Sequence, residues 1–113
     1  MVEDGPSENA GRARRLIAMK NRIAGLYPVK VTDPVYDALF QLYIAEEEGR
    51  PMSVSAVAPM IRVPSTTWLR WVSLMEEAGL VVRQPDPADG RRCWIALTRD
   101  CKARLDQLIT DLW

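Results

Sequence analysis

Apolar residues recur every three to four positions over most of this chain, which is the spacing of one helix face. The first two such stretches predict helices from about Arg12 to Leu26 and from Pro34 to the residue before Gly49. Pro28 stops the first helix, and Asp33 supplies an N-cap for the second. The apolar residues of the first helix are Leu16, Ile17, Ile23, Leu26 and Tyr27, and the expected core stripe of the second is Val35, Tyr36, Leu39, Phe40 and Tyr43.

A shorter helix and a longer one follow, with a tight turn between them. Ser53 can cap a short helix that extends to Ile61 and that Pro59 bends. After the turn at residues 62–64, the sequence predicts a helix from Ser65 to Ala78, which ends at Gly79 in a left-handed conformation. A short helix, a tight turn and a longer helix form a helix-turn-helix motif.

Two segments with strand character, Leu80–Arg83 and Cys93–Leu97, lie on either side of the turn-rich segment Pro85–Gly90. They predict a β-hairpin with a long tip. Thr98 caps a final helix with apolar residues at helical spacing, which are Cys101, Leu105, Leu108 and Leu112. We therefore predict a mainly α winged helix-turn-helix fold of about five helices and a two-stranded wing.

The composition agrees with one compact domain. A chain of 113 residues, 48% of them apolar, can bury a single core. Charged residues interrupt every hydrophobic segment, so we expect no membrane span and a cytoplasmic protein. The domain is expected to cover residues 12–113, and the polar residues 1–11 are expected to form a disordered tail.

Charged residues are segregated along the chain, although 15 basic and 15 acidic residues balance overall. Six basic residues and no acidic ones lie between Arg12 and Thr32. From Met52 to Arg104 there are eight basic residues and five acidic ones. Phosphate binding depends on the local potential within about 8 to 10 Å at physiological salt. The neutral total therefore does not exclude DNA binding.

The fourth predicted helix has one apolar face and one polar face at about 100° per residue. The apolar face carries Trp68, Trp71, Val72 and Met75, and the polar face carries Thr66, Arg70, Ser73 and Glu77. Small hydroxyl side chains and an arginine near the start of a helix suit the DNA major groove, where arginine pairs with guanine. An ordinary solvated helix face has a similar composition, so this pattern alone leaves both interpretations open.

The predicted hairpin tip adds two guanidinium groups, Arg91 and Arg92, directly after a turn that contains proline. The negative potential of a narrow minor groove favours an inserted arginine. Asp89 lies two residues before Arg91 and could hold that side chain in an extended conformation. The alternative is a solubilising loop with a local ion pair worth about 0 to 1 kcal/mol. The combination of this tip with the helix-turn-helix motif favours DNA binding.

Three segments of the chain resemble the wing region of the MarR family of transcriptional regulators, namely Ala78–Val81, Asp86–Arg92 and Ala96–Thr98. With Val63–Thr67 opening the recognition helix, the resemblance covers about residues 33–108. It implies a regulator that binds palindromic operator DNA as a dimer and that can have a small-molecule effector. By the motif, Asp89 and Arg91 correspond to the Asp-x-Arg of the wing, with Asp89 orienting it.

The resulting hypothesis is a DNA-binding homodimer. The recognition helix, at about 65–78, would enter the major groove, and the wing, at about 85–92, would enter the minor groove. The basic first helix and the last helix would form the dimer. The predicted DNA-binding residues are Ser65, Thr66, Thr67, Arg70, Ser73, Arg91 and Arg92.

The residue types argue against an enzyme or a metalloprotein. The chain contains no histidine, no glycine-rich phosphate loop, and no serine or cysteine with a recognisable base partner. We therefore expect no metal and no cofactor, and we interpret Cys93 and Cys101 as small buried hydrophobic residues. The alternative function is a winged-helix module that binds another protein through Trp94, Leu69 and Leu74.

Overall fold

The computed structural model describes residues 4–24 and 33–112, in which there are five helices and a small antiparallel sheet. The elements, in chain order, are α1 (Asp4–Ala24), α2 (Asp33–Glu47), β1 (Met52–Ser53), α3 (Val54–Ile61), α4 (Ser65–Glu77), β2 (Val81–Asp86), β3 (Asp89–Leu97) and α5 (Arg99–Leu112). This element order confirms the predicted winged helix-turn-helix fold.

Helix α1 begins at Asp4, whereas the sequence predicted a start near Arg12 and a disordered tail before it. Pro6 does not interrupt the helix because it lies in the first turn, where backbone N–H groups have no intrahelical partner. Residues 1–3 and the predicted stop at Pro28 lie outside the described residues.

Helix α2 is buried along a stripe that differs from the predicted one. Val35 and Leu39 are buried as expected, but the three aromatic residues predicted for the core, Tyr36, Phe40 and Tyr43, are half-buried. The remaining buried positions of the helix are Ala38, Leu42 and Ala45. Phe40 and Tyr43 pack against the core from outside this stripe.

Helices α3 and α4 form the predicted helix-turn-helix corner. Arg62, between them, has a φ of 61°, which makes a tight left-handed turn. Trp68 of α4 is 1% exposed, and its indole N–H donates to the Val54 carbonyl at 2.7 Å. This bond fixes α4 to the start of α3. Gly79 follows α4 with a φ of 76°, in the left-handed conformation that the sequence predicted.

The sheet has three strands in the order β1-β3-β2, so the prediction of a two-stranded wing was incomplete. Met52 pairs with Ile95 and Ser53 pairs with Trp94, which makes β3 the central strand. Two residues are too few to show the alternation that marks a strand in a sequence, and for this reason β1 was missed. Strand β1 leads directly into α3, so the sheet also positions the helix-turn-helix corner.

Helix α5 closes the core as the sequence predicted. The Thr98 hydroxyl accepts the Cys101 N–H at 3.1 Å and thus caps the helix. Three of the four predicted apolar positions, Cys101, Leu105 and Leu108, are buried. The side chain of Leu112 lies outside the described residues.

Four polar side chains connect α2 to α5, and we term them the α2–α5 seam: Tyr43, Glu47, Lys102 and Asp106. Lys102 Nζ lies 2.8 Å from Glu47 Oε2 and 3.3 Å from Asp106 Oδ1. The Tyr43 hydroxyl donates to the Asp106 carboxylate. This hydrogen bond, more than burial or charge repulsion, raises the pKa of Tyr43 to about 12. It also lowers the pKa of Asp106.

Candidate nucleic-acid interface

The outer face of α4 is polar and exposed, as the sequence predicted. Its packing face consists of the buried Trp68, Val72 and Met75 and the half-buried Trp71. On the other side of the helix, Thr66 and Arg70 are exposed, and so is Ser65 at the first position. Thr67 is half-buried on one flank.

Ser73 is less accessible to a partner molecule than its neighbours on the same face. Its side chain is half-buried, and its hydroxyl lies 3.4 Å from the Leu69 carbonyl, to which it donates. Such a bond from a hydroxyl to the carbonyl four residues earlier is common inside helices. The hydroxyl oxygen of Ser73 can still accept a hydrogen bond from outside.

An ion pair that the sequence analysis did not single out joins α4 to the wing. Arg83 Nη2 lies 2.6 Å from Glu76 Oε1, and Arg83 Nε donates to the same oxygen at 3.0 Å. The hydrogen bond from Arg83 lowers the pKa of Glu76. The wing is therefore tied to the recognition helix near its base.

The tip of the hairpin is tighter than the long tip that was predicted. Strand β2 extends to Asp86 and β3 begins at Asp89, so only two residues connect the strands. The Asp86 carboxylate stabilises the turn by accepting the Ala88 N–H at 2.8 Å. Beyond the turn the register shifts, because Pro85 pairs with Cys93. Residues 90–92 therefore have no counterpart on β2 and form a bulge.

This bulge presents Arg91 to solvent. The Arg91 side chain is 94% exposed. Asp89 accepts the Arg91 backbone N–H at 3.0 Å, and its carboxylate lies 3.6 Å from Arg91 Nε. Asp89 thus contacts both the backbone and the guanidinium of Arg91, and it fixes the base of this side chain.

The neighbouring Arg92 is also exposed and lies over an aromatic ring. Its guanidinium carbon is 5.3 Å from the centre of the Trp94 ring. Such a contact between a cation and an aromatic face is worth about 0.5 to 1 kcal/mol at an exposed site. Trp94 itself is half-buried, so it is partly covered by the protein and partly available for contact.

A cleft of about 240 Å³ lies between α3, the N-terminal half of α4 and the wing. Its apolar lining includes Trp68, Leu69 and Cys93, and its polar lining includes Ser65 and Arg91. The cleft therefore brings a predicted recognition-helix residue and the predicted wing arginine to the same side of the molecule.

The two cysteines differ in burial and are not bonded to each other. Cys101 is buried, as expected, and burial raises the pKa of its thiol to about 11. Cys93 is only half-buried. Within residues 4–24 and 33–112, no group of three potential ligands could hold a metal ion. No helix in this part of the chain is long and apolar enough to cross a membrane.

Comparison with known proteins assigns the chain to a family. The family model described as MarR family matches residues 30–92, which is more than half of the chain. Comparison with curated proteins found no match.

Solved structures of similar fold have low sequence identity to this chain. A mutant of MepR from a multidrug-resistant S. aureus clinical isolate has a TM-score of 0.72 at 15% identity, over 96% of this chain and 75% of that one. The S. aureus MepR–DNA complex has a TM-score of 0.63 at 18% identity, over 95% of this chain and 77% of that one. The heme sensor PefR from Streptococcus agalactiae, in complex with heme, has a TM-score of 0.61 at 18% identity, over 98% of this chain and 77% of that one. These likenesses show a shared fold, and the match to the family model shows that the chain belongs to the MarR family.

Proposed function

We propose that this protein is a transcriptional regulator that binds double-stranded operator DNA as a homodimer in the cytoplasm. The observation that carries the proposal is that exposed polar and basic residues of α4 and of the wing lie on the same side of the molecule. They are Thr66, Arg70, Arg91 and Arg92. MepR, which has a similar fold, was solved in complex with DNA.

Helix α4 is the element that would enter the major groove. Recognition helices contact base edges mainly with their N-terminal residues. Ser65, Thr66 and Arg70 are exposed in this half of α4. Arg70 can form two hydrogen bonds to a guanine, and the hydroxyl groups can contact bases or phosphates. Arg70 is thus the residue proposed to carry most of the base selection.

The wing would enter the adjacent minor groove. Arg91 extends from the bulge, with its backbone held by Asp89. An arginine in a narrow minor groove interacts with its enhanced negative potential and makes the binding sensitive to A·T content. Arg92 lies beside it and would contact the phosphates. Both residues belong to the site predicted from the sequence.

The proposed dimer uses α1 and α5. Leu16 and Ile17 of α1 are 48% and 60% exposed, although most helices of this length are stabilised by burying an apolar face. Arg22 of α1 lies 2.9 Å from Asp111 of α5, so the two helices are adjacent. A second copy of the chain would cover the apolar residues, and a two-fold axis would set the recognition helices about 34 Å apart, on adjacent major grooves.

The alternative, a module that binds protein through Trp94, Leu69 and Leu74, has less support. Leu69 and Leu74 are about 140° apart around α4, since each residue turns a helix by about 100°. Trp94 lies on β3 and is partly covered by Arg92. The three residues therefore do not form one apolar surface. A small-molecule effector, which the family resemblance implies, stays a prediction for this chain.

The test is a selection of bound fragments from genomic DNA of the source organism at physiological salt, where non-specific binding is weak. The wild-type protein is expected to enrich a palindromic motif. A variant with Arg70→Ala and Arg91→Ala together is expected to lose the enrichment. Arg50→Ala, which removes an exposed cation between α2 and β1, is the matched control and should keep it. Equal enrichment by all three proteins would contradict the assignment of the site, and no enrichment by any would contradict DNA binding.

A further inference from the structure

We propose that Leu69 recognises the C5-methyl group of a thymine in the major groove and so determines one base pair of each operator half-site. This inference rests on the proposed DNA binding through α4. It adds to that proposal the chemical group that one side chain selects.

Leu69 is a large apolar side chain that lies outside the buried core. It is the fifth residue of α4, and it is 47% exposed. The packing of this helix is completed by Trp68, Val72 and Met75, which are almost fully buried. A leucine therefore lies in the half of the recognition helix that contacts bases, without a role in the core.

The surroundings of Leu69 suit a nucleic acid more than an apolar partner. Thr66 and Ser73 lie three and four residues away and are its neighbours on the helix surface. On its other side Leu69 lines the cleft, which combines the apolar Ala58 and Trp68 with the guanidinium of Arg91. The exposed leucine thus has hydroxyl groups on one side and an apolar wall with a guanidinium on the other. The partner that fits this arrangement is polar and anionic around a small apolar group.

In the major groove of DNA, the thymine C5-methyl is such a group. Thymine presents this methyl to the groove, and apolar side chains contact it, whereas cytosine has no methyl at this position. The acceptor atoms of a neighbouring guanine match Arg70, and the negative potential of the adjacent minor groove matches Arg91. Leu69 can therefore distinguish thymine from other pyrimidines without a hydrogen bond.

The same helix provides a matched control. Leu74 is 38% exposed, but it lies in the C-terminal half of α4 and about 140° around the helix from Leu69. It does not line the cleft. We expect Leu74 to make no contact with a base.

The experiment uses two random-sequence duplex libraries, one with thymine and one with deoxyuridine in place of every thymine. Four full-length proteins are used, which are the wild type, Leu69→Ala, Leu69→Met and Leu74→Ala. Circular dichroism and thermal unfolding first establish that all four are folded. Wild type, Leu69→Met and Leu74→Ala are expected to enrich a thymine at one half-site position and to lose that preference in the deoxyuridine library. Leu69→Ala is expected to show no preference there in either library.

Titration of the selected duplex then gives the size of the effect. One deoxyuridine in each half-site removes one methyl contact per protomer and should weaken wild-type binding about fourfold per half-site, from roughly 0.8 kcal/mol for each buried methyl-sized group. The affinity of Leu69→Ala should be the same on the two duplexes.

The outcomes separate this inference from the proposed function. If no protein enriches any motif, DNA binding and the role of Leu69 both fail. If the wild type enriches a motif but binds the thymine and deoxyuridine duplexes equally, the protein reads DNA without a methyl contact, and this inference is wrong. It is equally wrong if Leu69→Ala keeps the preference for thymine over deoxyuridine.

Discussion

The α2–α5 seam and the edge formed by α4 and the wing differ in how completely their cations are paired with carboxylates. In the seam, Lys102 lies between the carboxylates of Glu47 and Asp106. At the edge, Arg83 pairs with Glu76 and Arg91 contacts Asp89. Arg70 and Arg92 have no ion pair with any residue that the structure describes. A guanidinium without a carboxylate partner keeps all its N–H donors free for another group, so the edge exposes hydrogen-bond donors and positive charge that the seam does not.

The largest effect is expected from Leu105→Ala. Leu105 is fully buried where α5 packs against the core, and truncation leaves a cavity. The free energy of unfolding should fall by about 2 to 5 kcal/mol, as chemical denaturation would measure. DNA affinity of the molecules that remain folded and dimeric should change little. A strong loss of affinity in a fully folded sample would show that the two regions are not separate.

The reverse pattern is expected for Arg91→Ala. Its side chain is almost fully exposed, so the unfolding free energy should stay within about 0.5 kcal/mol of the wild type. DNA affinity should fall by about tenfold, and the slope of log affinity against log salt should decrease by about 1 per protomer. Fluorescence anisotropy at several salt concentrations measures both. An unchanged slope would mean that Arg91 does not contact a phosphate or the minor groove.

Tyr43→Phe tests the hydrogen bond between Tyr43 and Asp106 through the pH dependence of stability. The Asp106 hydrogen bond raises the pKa of Tyr43 from 10.0 to about 12, so its contribution to stability is complete below pH 10 and is lost as the pH rises through 12. At neutral pH the variant should be less stable by about 1 kcal/mol. The difference from wild type should disappear above pH 12. Unfolding curves at pH 7 to 12 check this, and a difference that is independent of pH would contradict the hydrogen bond.

The same bond makes a prediction at acid pH. The Tyr43 hydroxyl, more than Lys102, lowers the pKa of Asp106, so the bond stabilises the protein above the usual pKa of an aspartate. That stability is lost as the pH falls through the lowered pKa. Wild type should therefore lose more unfolding free energy than Tyr43→Phe on acidification. Equal losses would show that this hydrogen bond is not what lowers the pKa of Asp106.

The smallest effect is expected from Glu76→Gln, which breaks the ion pair between α4 and the wing. Both side chains of this pair are about one-third exposed, and such pairs contribute about 0 to 1 kcal/mol. The melting temperature should fall by a few degrees at most. DNA affinity should change less than twofold, because Arg83 keeps its charge. A large loss of affinity would indicate that the pair orients the wing.

The helices and the polar face of α4 could be predicted from the sequence because each depends on local signals. Pro64 and Gly79 delimit α4, and the alternation of Trp68, Val72 and Met75 with polar residues defines its faces. The wing arginines were identified for the same reason, because a turn with proline and glycine precedes them.

The remaining features depend on contacts between distant residues. Glu46 accepts the Leu97 N–H at 2.7 Å, and no local pattern links a glutamate of α2 to a strand about fifty residues later. The pairing of β1 with β3 and the bulge at residues 90–92 are likewise set by sheet register. The exposure of Leu69 could be settled only when the positions of α3 and the wing were known.

A footprint on the selected duplex shows whether α4 lies in the major groove and the wing in the minor groove. Dimethyl sulfate reports guanine N7 in the major groove, and hydroxyl radicals report the backbone along the minor groove. A dimer that binds as proposed should protect the major groove at two sites about one helical turn apart, about 34 Å. Each site should be flanked by minor-groove protection that disappears with Arg91→Ala. Protection of a single site, or minor-groove protection that survives the loss of Arg91, would contradict this mode of binding.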